Sequence, residues 1–186
     1  MDSRKKKFHD VSNLYWLRRF DMFPQLNAQV LKKLEGVWIG QGKGIYPPRV
    51  LEFNYQETLT IKPTAKPSVW EFRSATVHAL SGKPMHVETG YIRTPSNGSV
   101  ELIATHPFGL TEISTGECLN EYSFELVASD RTLHRVQSAT EPFTIGLKRR
   151  YELTGDGLGL TFTMDMATSN HPEFQNHLVC NLTKQQ

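Results

Sequence analysis

The side chains able to do acid–base, nucleophilic or metal chemistry here are seven histidines, two cysteines and scattered carboxylates. The histidines are His9, His78, His86, His106, His134, His171 and His177, and none forms an HxH or HExxH pair. Spacing therefore marks no two-histidine metal site on one helix or strand. A single imidazole can still hold a metal, and a ligand is held more firmly on a strand than on a loop. That favours His86, beside Met85 in a strand-like stretch, and His177, just beyond a proline-containing loop at the start of the last strand. Cys118 and Cys180 lie 62 positions apart with no CxxC, so neither a disulfide framework nor a zinc knuckle is indicated. No GxSxG elbow supplies a serine nucleophile, and the carboxylates come singly, so hydrolase chemistry has no motif. Gly36, Gly40, Gly42 and Gly44 imitate a phosphate loop, but no Gly-Lys-Ser/Thr follows and the next segment reads as a strand. On a regular strand these even-numbered glycines share one face and leave it bare, for a packed helix, a neighbouring strand or a ligand to approach.

The elements that must position these residues are mostly strands. Segments rich in β-branched and aromatic residues, punctuated by Gly, Pro, Asn and Asp, predict strands at 36–43, 50–61, 69–79, 85–94, 99–106, 110–118, 121–129, 132–139, 143–154 and 158–167, with a last one near 176–183. Ser81-Gly82-Lys83-Pro84, Ser96-Asn97-Gly98 and Gly155-Asp156-Gly157 have the composition of hairpin turns. About ten hairpin-linked strands dispose of their edges by closing into an antiparallel up-and-down β-barrel, with a two-sheet sandwich as the alternative. Leu158, Leu160, Phe162, Met164 and Met166 share one face of their strand, as do Tyr122, Phe124 and Leu126, so several strands send large apolar side chains inward. Before the barrel, residues 1–11 read as a disordered polar tail and 12–34 as a helical segment. Within that segment, Pro24, Leu26, Val30, Leu31 and Leu34 predict a short helix over 24–34, suited to plugging one barrel end. Residues 35–186 form the barrel.

With 21 basic against 19 acidic residues and a net charge of +2, the chain carries no field that calls for nucleic acid or an anionic membrane as main partner. No run approaches the roughly 20 apolar residues of a membrane helix, so a soluble, cytoplasmic protein is expected. The Arg4-Lys5-Lys6-Lys7 run fits either a nuclear address or a solvated tail. Nothing separates a monomer from a homodimer.

Four motifs carry a family resemblance. Gly36-Val37-Trp38-Ile39-Gly40-Gln41-Gly42-Lys43-Gly44-Ile45-Tyr46-Pro47 resembles the GxWxGxGxGxYP signature of the nitrobindin family, haem-binding ten-stranded barrels. Phe53-Asn54-Tyr55-Gln56-Glu57 resembles its FxYxE, residues 82–93 its GxPMHxExGYxR, and Met166-Ala167-Thr168 with His177-Leu178 its closing MAT and HL. The motifs stand in the family's order and span residues 34–184.

The resemblance implies a b-type haem whose iron is held by His177, with Met85, His86 and Met166 in the distal pocket and His106 facing it by a looser alignment. It brings the opening strand, with Gly36, Trp38, Gly40 and Gly42, into the haem site, as well as Pro48, which stands where the family commonly has a threonine near the haem. The loop from Met166 to His177 is one residue longer than usual, which makes His171 a competitor. Arg149 suits a haem propionate, or else is a solvated surface arginine. The activity implied is conversion of peroxynitrite to nitrate on ferric iron under an apolar distal pocket, with reversible binding of nitric oxide. Two rival readings are a barrel carrying a fatty acid, its carboxylate met by Arg149 or Arg150, and a filled barrel acting through its surface.

Overall fold

A computed structural model describes residues 27–46 and 50–186. The expected tail, the segment 12–26 and Pro48 lie outside the described residues. A helix over 27–34 leads into eleven strands: β1 (Gly36–Tyr46), β2 (Val50–Pro63), β3 (Val69–His78), β4 (Pro84–Arg93), β5 (Val100–His106), β6 (Leu110–Asn120), β7 (Ser123–Ser129), β8 (Leu133–Arg135), β9 (Thr144–Leu153), β10 (Gly159–Thr168) and β11 (His171–Lys184). They pair antiparallel in the order β5-β4-β3-β2-β1-β11-β10-β9-β7-β6, and β6 pairs back to β5, closing a ten-stranded barrel. The three-residue β8 is an appendage on the Leu110–Glu112 end of β6. The β7–β9 ladder ends at Ser129 opposite Gly146, and residues 139–143 of the β8–β9 connection line the cavity at the barrel mouth.

The helix closes the other end. Val30, Leu31 and Leu34 lie on one face and are buried in the barrel core with Trp38. The carbonyls a helix leaves free at its C-terminus find partners here. Trp38 Nε1 donates to Leu34 O (2.8 Å) and Lys184 Nζ to Lys33 O (3.0 Å). Asn27 Nδ2 donates to Gly98 O (2.5 Å) and Lys33 Nζ to Glu121 O (2.9 Å), tying the plug to the β4–β5 and β6–β7 turns. Above the plug the lumen is filled, with Phe124, Tyr151 and Phe162 stacked at centroid distances of 4.8 and 4.9 Å. The mouth end is hollow.

One expectation is corrected, and one open choice is narrowed. The last strand starts at His171, not 176, so the supposed loop before His177 is ladder. The bare glycine face is covered by the neighbouring strand: a Cβ on Gly42 would fall inside the Tyr55 ring and one on Gly44 inside the Phe53 ring. Gly42 and Gly44 thus make room for two β2 aromatics.

Candidate functional site

The hollow mouth is a cavity of ≈ 470 Å³, within the ordinary range of about 300–1,000 Å³ for small-molecule sites. Its walls bring together His177, Met85, His86, His106, Arg149 and Met166, residues from β11, β4, β5, β9 and β10. Gly36, Trp38, Gly40 and Gly42 are not among the lining residues. Trp38 sits beneath the plug helix because its indole is the partner of Leu34, with the Lys184 ammonium 5.2 Å from the ring centroid. His171, at the first position of β11, is not among the cavity's lining residues and borders a small adjoining groove that shares Tyr46, Met166 and His177 with it.

His177 reaches the cavity through a bulge. Leu178 faces Met164 across the β10–β11 ladder, but the next β10 residue, Asp165, faces Asn176, so His177 is the extra residue. In a regular strand neighbours point to opposite faces, and a bulge re-aims one of them. Here both His177 and Leu178 line the cavity. The imidazole is fixed by Nδ1, which donates to Ile45 O at 2.6 Å, and Tyr46 packs edge-on at 5.8 Å. An Nδ1–H tautomer leaves the Nε2 lone pair for a metal. Burial lowers the His177 pKa, partly offset by the Ile45 bond, which favours the neutral ring that coordination needs. Ring order places β5 five strands from β11 in a ten-stranded barrel, so His106 stands on the wall opposite His177.

The cavity is not apolar throughout: Met85, Phe108, Phe143 and Met166 are among its lining, but its floor is charged. Arg149 is 1% exposed. Its Nε and Nη2 donate to Glu112 Oε1 (2.9 Å) and Oε2 (2.6 Å), and Nη2 also lies 2.8 Å from Glu88 Oε2. The interior of the barrel thus uses the guanidinium that was expected at a propionate or in solvent. Burial alone would raise the Glu88 pKa, but Arg149, His86 and His106 outweigh it and hold the carboxyl well below its usual range. Glu112 is likewise lowered, burial being overcome by Arg149 and His106. Ser114 Oγ also donates to Glu112 Oε1. His86 Nε2 lies 3.0 Å from His106 Nδ1 and 3.4 Å from Glu88 Oε1, while His106 Nε2 lies 3.5 Å from Glu112 Oε2.

Glu57, on β2, is the exception. Burial pushes its pKa up to about 7 despite a 2.8 Å hydrogen bond from Ser74 Oγ. Between pH 4.5, the ordinary carboxyl value, and about 7 the unfolded chain releases this proton while the folded chain keeps it. Stability therefore falls as pH rises through that window, at up to about 1.4 kcal/mol per pH unit and about 3 kcal/mol in all. The Glu57→Gln variant keeps the neutral form throughout. Urea unfolding is expected to find it more stable than wild type at pH 7.5 and equal to wild type below about pH 4.5.

Glu57 and Glu88 fall inside the FxYxE and GxPMHxExGYxR motifs without being marked there as site residues, while Glu112 and Ser74 lie in no motif, and barrel closure brings the four strands together. Strand parity could have found them. Glu88 shares a face with His86 and Ile92, Glu112 with Leu110 and Ser114, Glu57 with Tyr55 and Leu59, and Arg149 with Leu147 and Tyr151, all faces that turn inward.

Residues 27–184 match the family model described as "THAP4-like, heme-binding beta-barrel domain". Curated relatives include "Peroxynitrite isomerase 1" of Mycolicibacterium paratuberculosis (strain ATCC BAA-968 / K-10), 35% identical over 166 residues covering 89% of this chain and 98% of that one. "Peroxynitrite isomerase 2" of Mycobacterium avium (strain 104) is 34% identical with the same coverage. Among solved structures, the crystal structure of Rv2717c from M. tuberculosis superposes with a TM-score of 0.74 at 33% identity, over 86% of this chain and 98% of that one. Among the described residues no helix is long and apolar enough to cross a membrane.

Proposed function

The chain belongs to the THAP4-like, heme-binding β-barrel family, the nitrobindins, and from that premise we propose that it holds a ferric b-type haem through His177 Nε2 and isomerises peroxynitrite to nitrate. The observation that carries this reading is the His177 imidazole, set into the cavity by a bulge and locked by Ile45 with Nε2 left over. This donor set fits the group: a neutral, oriented imidazole is a standard axial ligand of haem iron. A non-covalent haem suits a chain without CxxCH whose two cysteines, Cys118 and Cys180, are both buried. The iron would supply Lewis-acid and electron-relay chemistry.

The chain's own residues divide the remaining work. Ile45 O holds the His177 tautomer, and Met85, Phe108, Phe143 and Met166 give the mouth an apolar collar that limits water. On the opposite wall His86 Nε2 and His106 Nδ1 hold one proton between them, 3.0 Å apart. Nitric oxide, small and uncharged, would enter by the same mouth and bind reversibly. The fatty-acid reading loses support because Arg149 is already paired with two carboxylates, and Arg150 is exposed beside Glu152 at 3.2 Å.

Stopped-flow mixing of hemin-loaded protein with peroxynitrite tests the proposal. The expected result is decay that accelerates in proportion to loaded protein, with product shifted from nitrite toward nitrate. Decay no faster than with hemin-free protein would overturn it.

A further inference from the structure

We propose that His86, Glu88 and His106 form a second, non-haem site for a divalent transition-metal ion on the cavity wall facing His177. This inference does not depend on haem being bound. One ligand atom from each of the three residues can be chosen so that all lie within 4.8 Å of one another. Four ligands around Zn²⁺ at about 2.0–2.1 Å stand roughly 3.3 Å apart. His86 Nε2 is already 3.0 Å from His106 Nδ1 and 3.4 Å from Glu88 Oε1, so an ion would replace the shared proton as the two rings turn to aim at it.

The surroundings are those of a supported site. With Nδ1 given to the metal, His106 has its Nε2 3.5 Å from Glu112 Oε2 and without a hydrogen-bond partner, so a small approach would complete the carboxylate–histidine–metal arrangement that orients a ligating imidazole. Arg149 takes the far oxygen of Glu88 at 2.8 Å and leaves Oε1 for the ion. The ionised groups here, Glu88, Glu112 and Arg149, sum to one negative charge, which favours a cation. His106 and Glu88 are buried and His86 is half-buried at the cavity, so the fourth coordination position opens toward whatever enters the mouth. Two histidines and a carboxylate suit Zn²⁺, Fe²⁺ or Co²⁺ rather than Mg²⁺ or Ca²⁺. An ion held there would place positive charge before an anion in the cavity, above a floor with more carboxylate than guanidinium.

The test uses the full chain without hemin, titrated with Co²⁺ and followed by its visible ligand-field bands. One Co²⁺ per chain is expected, with tetrahedral bands that Zn²⁺ displaces. His86→Ala should weaken binding by more than the ~10–100-fold that losing an outer-shell partner costs, and His177→Ala should bind Co²⁺ as wild type does. His86→Gln serves as a second variant if the alanine form melts early in metal-free buffer. No stoichiometric uptake by wild type, unchanged binding in both His86 variants, or loss of binding in His177→Ala would each overturn the proposal.

Discussion

Replacing Arg149 with methionine is expected to destabilise the barrel by about 3–5 kcal/mol, the cost of stranding buried charge by removing one partner. For a chain of this length that is a fall in Tm of roughly 6–20 °C. Arg149 is the shared counter-ion of Glu112 and Glu88, both buried. Without it two carboxylates remain in the lumen with burial no longer opposed by the guanidinium, so at neutral pH each must either stay charged in the interior or take up a proton, and both cost free energy. The adjacent Arg150 supplies the control. It is exposed and paired with Glu152 on the outer face, so Arg150→Met should stay within about 0.5 kcal/mol of wild type. Thermal or urea unfolding reads both, and equal stability of the two variants would contradict the account. Replacing Arg149, Glu88 and Glu112 together by apolar residues should recover most of the loss, since a buried ionic cluster often contributes little beyond an apolar one of the same volume.

The same cluster marks the boundary of what was legible in the sequence. The strand–turn pattern was legible because turns announce themselves locally: Gly82, Gly98 and Gly157 all adopt the positive φ expected of hairpin glycines. The plug helix was legible from Val30, Leu31 and Leu34, which are buried as their spacing implies. The start of β11 was hidden by Pro172, which looks like a strand breaker. Among the described residues 171–175 pairs with β10 alone and the β1 ladder begins at Leu178, so Pro172 interrupts no described ladder on the other side. The bulge at His177 was equally invisible, because it depends on register against a neighbouring strand. The charged floor shows locally only as inward parity: β2, β4, β5, β6 and β9 supply Glu57, His86 with Glu88, His106, Glu112 and Arg149, and it is the ring of strands that makes them one cluster.

A second large effect is expected at His177. Substituting alanine should remove axial coordination and with it the sharp Soret band of the bound haem, while the fold survives, since among the described residues the side chain hydrogen-bonds to Ile45 O alone. His171→Ala should bind hemin like wild type, because His171 sits outside the cavity wall at the turn after Thr168. Loss of the band in the His171 variant and its retention in the His177 variant would exchange the two assignments.

The most direct measurement is an absorption titration with hemin on the His177→Gly variant, in the presence and absence of free imidazole. A glycine there leaves room for imidazole beside Ile45 O, where it can stand in for the missing ring. The account predicts that the variant binds hemin weakly and without the wild-type spectrum, and that imidazole restores both band position and affinity. A His177→Gly variant that takes up hemin with the wild-type spectrum and affinity, with imidazole making no difference, would contradict it.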